Sequence, residues 1–149
     1  MKRPDNSAPV VCRILVRFVL ADESAHPVPV DLTYDPSDPY AVSMAFHVGA
    51  ELVVQWVFAR DLLLDGQHRL AGAGDVQVWP SMHSTVNEVC VGLRPCGEGE
   101  PVVLAASAHA LDAFLRQTLD EVPAGTESEH MRLDDLADHL LDRPDEPHR

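Results

Sequence analysis

Apolar and polar residues alternate over residues 10–20, so Cys12, Ile14, Val16, Phe18 and Leu20 share one face by the two-residue period of a strand. The opposite face holds Val11, Arg13, Leu15, Arg17 and Val19 and is only partly polar. Residues 30–34 read as a short second strand. Asp35-Pro36-Ser37-Asp38-Pro39 follows as a rigid corner, because proline fixes φ and an aspartate side chain accepts from nearby backbone N–H groups. Residues 42–48 and 51–59 then read as a hairpin through Gly49-Ala50. Val42, Met44, Phe46 and Val48 form one face of its first arm, and Leu52, Val54, Trp56 and Phe58 one face of its second. Residues 60–65 predict a helical turn closed by Gly66. Residues 72–74 are expected to be a flexible link, and residues 76–79 a strand ended by Pro80. Beyond a polar loop at 81–87, residues 86–93 and 101–106 pair across the Gly97-Glu98-Gly99 turn.

The period then changes. Ser107 is suited to cap a helix reaching to about residue 122, in which Ala108, Leu111, Leu115, Leu119 and Val122 follow helical spacing and Phe114 widens the stripe. Pro123 and Gly125 end it. A last short helix is expected near residues 133–141, where Leu133, Leu136, Ala137, Leu140 and Leu141 share one face. The ends, about residues 1–9 and 143–149, are polar, proline-containing and expected to be loose. The order of elements predicts an α+β fold: one domain over residues 1–149, with a sheet core followed by two C-terminal helices.

A length of 149 residues, 46% of them apolar, is enough for a single packed core. No apolar run approaches the roughly 20 residues that a membrane helix needs. The start MKRPDNSAP lacks the apolar stretch of a signal peptide, so a cytoplasmic protein is expected. Cys12, Cys90 and Cys96 are odd in number, and Cys12 and Cys90 fall in strand-like runs, which favours free buried thiols over the alternative Cys90–Cys96 disulfide. The formal net charge is −13, and residues 120–149 hold ten carboxylates against three arginines. Such a balance repels a phosphate backbone, although Arg13, Arg17, Arg60 and Arg69 could together form a basic patch.

Candidate chemistry fails on spacing. Gly72-Ala73-Gly74 opens like a dinucleotide loop, but its sixth position is Gln77 and it leads into a strand rather than a helix. No phosphate loop and no nucleophile elbow occurs. The eight histidines include no i, i+4 helical pair and no ligand spacing with cysteine, so neither metal nor cofactor is expected. His47 reads as a surface or interface residue of its strand. Asp35, Asp38 and Asp61 could pair as acid and base, but turn and helix-start roles account for them. Trp56 and Trp79 sit among alternating apolar residues, which favours packing over base stacking.

A set of ordered words runs through the chain. They include Tyr34-Asp35-Pro36, Asp38-Pro39-Tyr40-Ala41-Val42, Phe46-His47, Trp56-Val57-Phe58-Ala59-Arg60-Asp61-Leu62-Leu63, Gly66, His68-Arg69, Gly74-Asp75-Val76 and Val78-Trp79-Pro80. They continue as Phe114-Leu115, Thr118, Val122-Pro123 and Gly125-Thr126-Glu127. In these the chain closely resembles the SsgA-like family of actinobacterial sporulation and cell-division regulators. The resemblance implies a Whirly-like curved antiparallel sheet carrying helices, and subunits assembled as a homotrimer. It also implies a non-enzymatic cytoplasmic regulator of septum-site selection, acting at septa by binding division proteins such as the tubulin-like division GTPase. The chain departs from the family pattern at Arg94-Pro95-Cys96, over residues 81–87 and after Leu141.

Arg60, Asp61 and Arg69 are charged yet belong to the matching words, and they flank the short helix and its following loop. They are the candidate partner-binding residues, expected to be exposed and replaceable without loss of folding. The competing account is that Asp61 stabilises the helix start and the arginines pair locally. The alternative function is a single-stranded nucleic-acid-binding module, which the Whirly-like fold would allow and the negative charge opposes.

Overall fold

The computed structural model describes residues 8–19, 27–48, 52–81, 87–94 and 102–130. Seven strands form one antiparallel sheet: β1 (Val10–Phe18), β2 (Pro27–Tyr34), β3 (Ala41–Val48), β4 (Leu52–Ala59), β5 (Val76–Pro80), β6 (Glu88–Leu93) and β7 (Val102–Ser107). Helix α1 (Arg60–Gly66) follows β4, and α2 (Ala108–Glu121) follows β7. The strand order is β4-β3-β2-β1-β7-β6-β5, so β1 lies at the centre and β4 and β5 are the two edges. A flat sheet of this width would hold its edges roughly 29 Å apart at about 4.8 Å per strand. Yet α1, only about 10 Å long at 1.5 Å per residue, runs straight on from the end of β4 and packs on β5. The sheet therefore curls into a half-barrel. Phe18, Phe46, Val54, Trp56, Leu93 and Val102 accordingly line one apolar groove of about 270 Å3 across its interior.

The period-two faces fall where the alternation places them. Val10, Ile14, Val16, Val30, Leu32, Val42, Met44, Phe46 and Phe58 point into the core, which α2 closes with Leu111, Phe114 and Leu115. Ser107 caps α2, its hydroxyl accepting from the Ala110 N–H at 3.1 Å. The Asp35 corner also forms as expected: its carboxylate accepts from the Ser37 N–H at 2.9 Å, and Tyr34 donates its hydroxyl to the Pro39 carbonyl at 2.9 Å.

Several boundaries differ from expectation, each for a physical reason. β2 begins at Pro27 rather than residue 30; β3 pairs only with residues 30–33, so Pro27 and Pro29 lie on a locally free edge where no donor is needed. Gly66 does not close α1 with a left-handed residue, since Gln67 caps it in right-handed conformation. Gly66 instead lets the helix meet β5: a Cβ there would lie 2.2 Å from Val78 Cγ1. The expected flexible link at 72–74 begins just after a residue that pairs with β5. Ala71 exchanges two backbone hydrogen bonds with Val78, at 2.8 and 2.9 Å, and Gly72 adopts φ +97. The expected helix near 133–141 lies outside the described residues, although residues 127–130 are helical.

Candidate functional site

The alternation that buries Phe58 and half-buries Trp56 continues one step further than strand β4 itself. Arg60 stands next in that phase, and the structure buries it to 1% exposure at the start of α1. Its Nη2 donates to Glu127 Oε2 at 2.8 Å, and its Nη1 donates to the Val122 and Thr118 carbonyls at 2.9 and 3.2 Å. The guanidinium lies 4.9 Å from the centroid of the fully buried Tyr34 ring. The expectation that Arg60 is an exposed partner contact is therefore corrected. It ties the end of α2 and the helical start at 127–130 to the sheet. The period-two phase of β4 carried the signal.

Burial alone would push the Glu127 carboxyl up, but the hydrogen bonds from Arg60 and from backbone N–H groups outweigh it and hold the pKa below its ordinary 4.5. A carboxylate depressed on folding contributes stability that is complete above its unfolded value and is lost as pH falls through the lower folded value. Glu127→Gln is therefore expected to be less stable than the parent at pH 7 and to lose less stability between pH 5 and pH 3. Denaturant titrations across that range measure the two slopes.

Asp61 and Arg69 are placed differently. Asp61 is exposed in the first turn of α1, where its charge favours the helix N-terminus. Arg69 is 72% exposed and reaches Asp65 at only 3.7 Å. The structure thus separates the three candidates: Arg60 is internal, while Asp61 and Arg69 remain at the surface. Beside Arg69 lies a groove that sequence reasoning missed, lined by His68, Arg69, Leu70, Gln77, Trp79 and Pro80. Trp79 points to the sheet face opposite the core, in phase with Gln77, and Gly92 lies beneath its indole. The unusual step was the lone glycine in the strand word Val91-Gly92-Leu93, which marks a close approach.

The remaining arginines of the supposed basic patch are also paired. Arg13 donates from Nε to Asp31 Oδ1 at 2.8 Å, and His47 Nε2 lies 2.8 Å from Asp31 Oδ2. The Arg13 hydrogen bond, reinforced by His47, holds the Asp31 carboxyl well below the usual carboxylate range. Arg17 meets Glu88 at 2.7 Å. These pairs lie on the outer sheet face, among Val11 and Leu15, each 62% exposed, and the exposed Val53 and Val57.

The family model described as "Streptomyces sporulation and cell division protein, SsgA" matches residues 28–127. The sporulation-specific cell division protein SsgB of Streptomyces coelicolor is 50% identical over 132 residues, covering 89% of this chain and 95% of that protein. This chain belongs to the SsgA family. The SsgB of Frankia casuarinae is 41% identical over 126 residues, 84% of this chain and 86% of that protein. A solved structure of Streptomyces coelicolor SsgB, from work relating SsgB mutations to longitudinal cell division during sporulation, superposes with a TM-score of 0.76. It is 48% identical and covers 83% of this chain and 95% of that one. The SsgA-like sporulation-specific cell division protein of Thermobifida fusca superposes with a TM-score of 0.80 at 35% identity, over 94% of this chain and 100% of that one.

These relatives give this SsgA-family protein a role in cell division during sporulation. The matched span ends at Glu127, the residue that neutralises Arg60. Among the described residues no three His, Cys, Asp or Glu side chains converge as metal ligands. Cys90 is buried, and desolvation pushes its thiol up, away from the reactive thiolate. No helix among the described residues is long and apolar enough to cross a membrane.

Proposed function

We propose that this protein is a non-enzymatic regulator of septum-site selection in sporulation-specific division, acting in the cytoplasm at septa by binding proteins of the division machinery. The tubulin-like division GTPase, or a septal protein associated with it, is the proposed partner. The observation that carries this reading is the match to SsgB proteins across most of the chain. Asp61 and Arg69, exposed on α1 and the turn after it, are the proposed partner contacts. A fluorescent fusion in a sporulating host is expected to mark septal positions, and deletion to misplace or abolish sporulation septa. Normal septa after deletion would overturn the reading.

Self-association as a homotrimer belongs to the same proposal. Val11 and Leu15 on β1, and Val53 and Val57 on β4, are exposed apolar residues of the outer sheet face that the core does not use, and a second copy would cover them. Light scattering at micromolar concentration is expected to give a trimer mass, and a monomer mass would refute the assembly. The basic patch that would serve the nucleic-acid alternative is weakened, because Arg13, Arg17, Arg60 and Arg69 each face a carboxylate.

A further inference from the structure

The groove beside edge strand β5 has a volume of about 540 Å3, within the range of about 300–1,000 Å3 common for ligand sites. We propose that it is the docking site for an extended, acidic, proline-containing segment of a partner protein. The proposal deepens the binding role above and rests on it.

The first argument is the indole. A Cβ at Gly92 would come within 3.1 Å of two Trp79 ring atoms. The sheet therefore leaves out a side chain at Gly92 so that the indole can lie down on β6. Trp79 stays only partly covered, next to Pro80 and to Leu70, which is 61% exposed. A flat aromatic surface flanked by proline and an aliphatic side chain matches the grooves that take polyproline-type segments, whose extended form is populated before binding and so loses little entropy.

The second argument is the backbone. Val78 turns its N–H and C=O toward the free side of β5, and Ala71 takes both. Pro80, at the end of the strand, has no N–H to offer. Strand addition is blocked at Val78 and at Pro80, so recognition along this stretch falls to side chains. A segment without ladder hydrogen bonds suits that restriction.

The third argument is charge. Arg13, Arg17, Arg60 and Arg116 hold their carboxylates at 2.6 to 2.8 Å. Arg69 holds Asp65 only at 3.7 Å, with the two side chains 72% and 52% exposed. Such a contact contributes little in water, so an incoming carboxylate displaces it at small cost. Asp65 and the exposed Asp75 are the carboxylates of this neighbourhood, and His68 adds a second nitrogen donor on the groove wall. A single cation beside an indole could also receive a nucleotide. A backbone of repeated phosphates needs several cations in a row, whereas Arg69 is the one arginine or lysine among the residues that line this groove.

The test uses purified full-length protein carrying Trp56→Phe, so that emission reports Trp79 alone. Three fluorescein-labelled probes are titrated: a peptide alternating proline and leucine with aspartate and glutamate, its twin with lysine at every acidic position, and a short oligothymidylate. The acidic peptide is expected to bind and shift Trp79 emission. Arg69→Glu should weaken it by about tenfold or more, as for loss of a charge-assisted contact. Leu70→Ser should weaken it as well, and both variants should melt like the parent because both sites are exposed. No shift at millimolar peptide, equal binding of the lysine twin, tighter binding of the oligothymidylate, or unchanged binding by Arg69→Glu would each overturn the proposal. These outcomes are read on purified protein. Failure of the groove therefore leaves the regulator reading standing, and normal septa after deletion overturn that reading alone.

Discussion

Arg60→Ala is expected to lose about 3–5 kcal/mol of stability, the usual result of removing one partner from a buried ion pair. Glu127 would be left 7% exposed with no cation, and the Thr118 and Val122 carbonyls would lose their donor. The Tyr34 ring would also lose the guanidinium stacked above it. In a chain of this size the change corresponds to a fall in Tm on the order of 10 °C. The role in sporulation-specific cell division would fail with it, through loss of the folded population rather than of a contact. Arg69→Ala provides the contrast: its side chain is 72% exposed, and its Tm is expected to match the parent's. Pairing Arg60→Met with Glu127→Leu removes both charges together and should recover most of the loss, because a buried ion pair and a packed apolar pair are often close in free energy. Thermal melts of the four proteins decide the point. A parent-like Tm for Arg60→Ala would mean that the Arg60–Glu127 pair carries no stability.

Gly66→Val should destabilise the fold by about 1–3 kcal/mol or more, through overpacking at the contact between α1 and β5. The first added carbon would meet Val78 Cγ1 at 2.2 Å and Val78 Cβ at 2.4 Å, and Val78 is fully buried and cannot swing aside. The helix would be pushed off the edge strand, taking with it the Ala71–Val78 bridge that seals that edge. Combining Gly66→Val with Val78→Ala relieves the clash. The double variant should be less damaged than the sum of the two single changes, a coupling expected of side chains in direct contact. Strict additivity in denaturant melts would refute the close approach as the reason for glycine at this position.

The local elements were legible because their signals are local. The alternation in β1, β3 and β4, the Asp35 corner, and the Ser107 cap each depend on residues within a few positions of one another. The same holds for the helical stripe of α2, where Leu111, Phe114 and Leu115 proved to be the buried face. What the strands pair with was a different matter. That β1 lies between β2 and β7, and that a short helix joins the two outermost strands, follows from non-local pairing that no periodicity records. Charge was the least legible feature. Arg60 and Arg69 read alike in sequence, but Arg60 meets Glu127 across 67 positions inside the core while Arg69 stays in water beside Trp79. Gly66 read as punctuation and Gly92 drew no notice as a lone strand glycine, and each is the space that a distant side chain, Val78 or Trp79, occupies. Sequence alone determined the family and which segments become strands and helices, because pattern and propensity act along the chain. Tertiary structure alone decided which charges are buried, which edge is sealed and where a groove is left open, because burial depends on partners that only folding brings together.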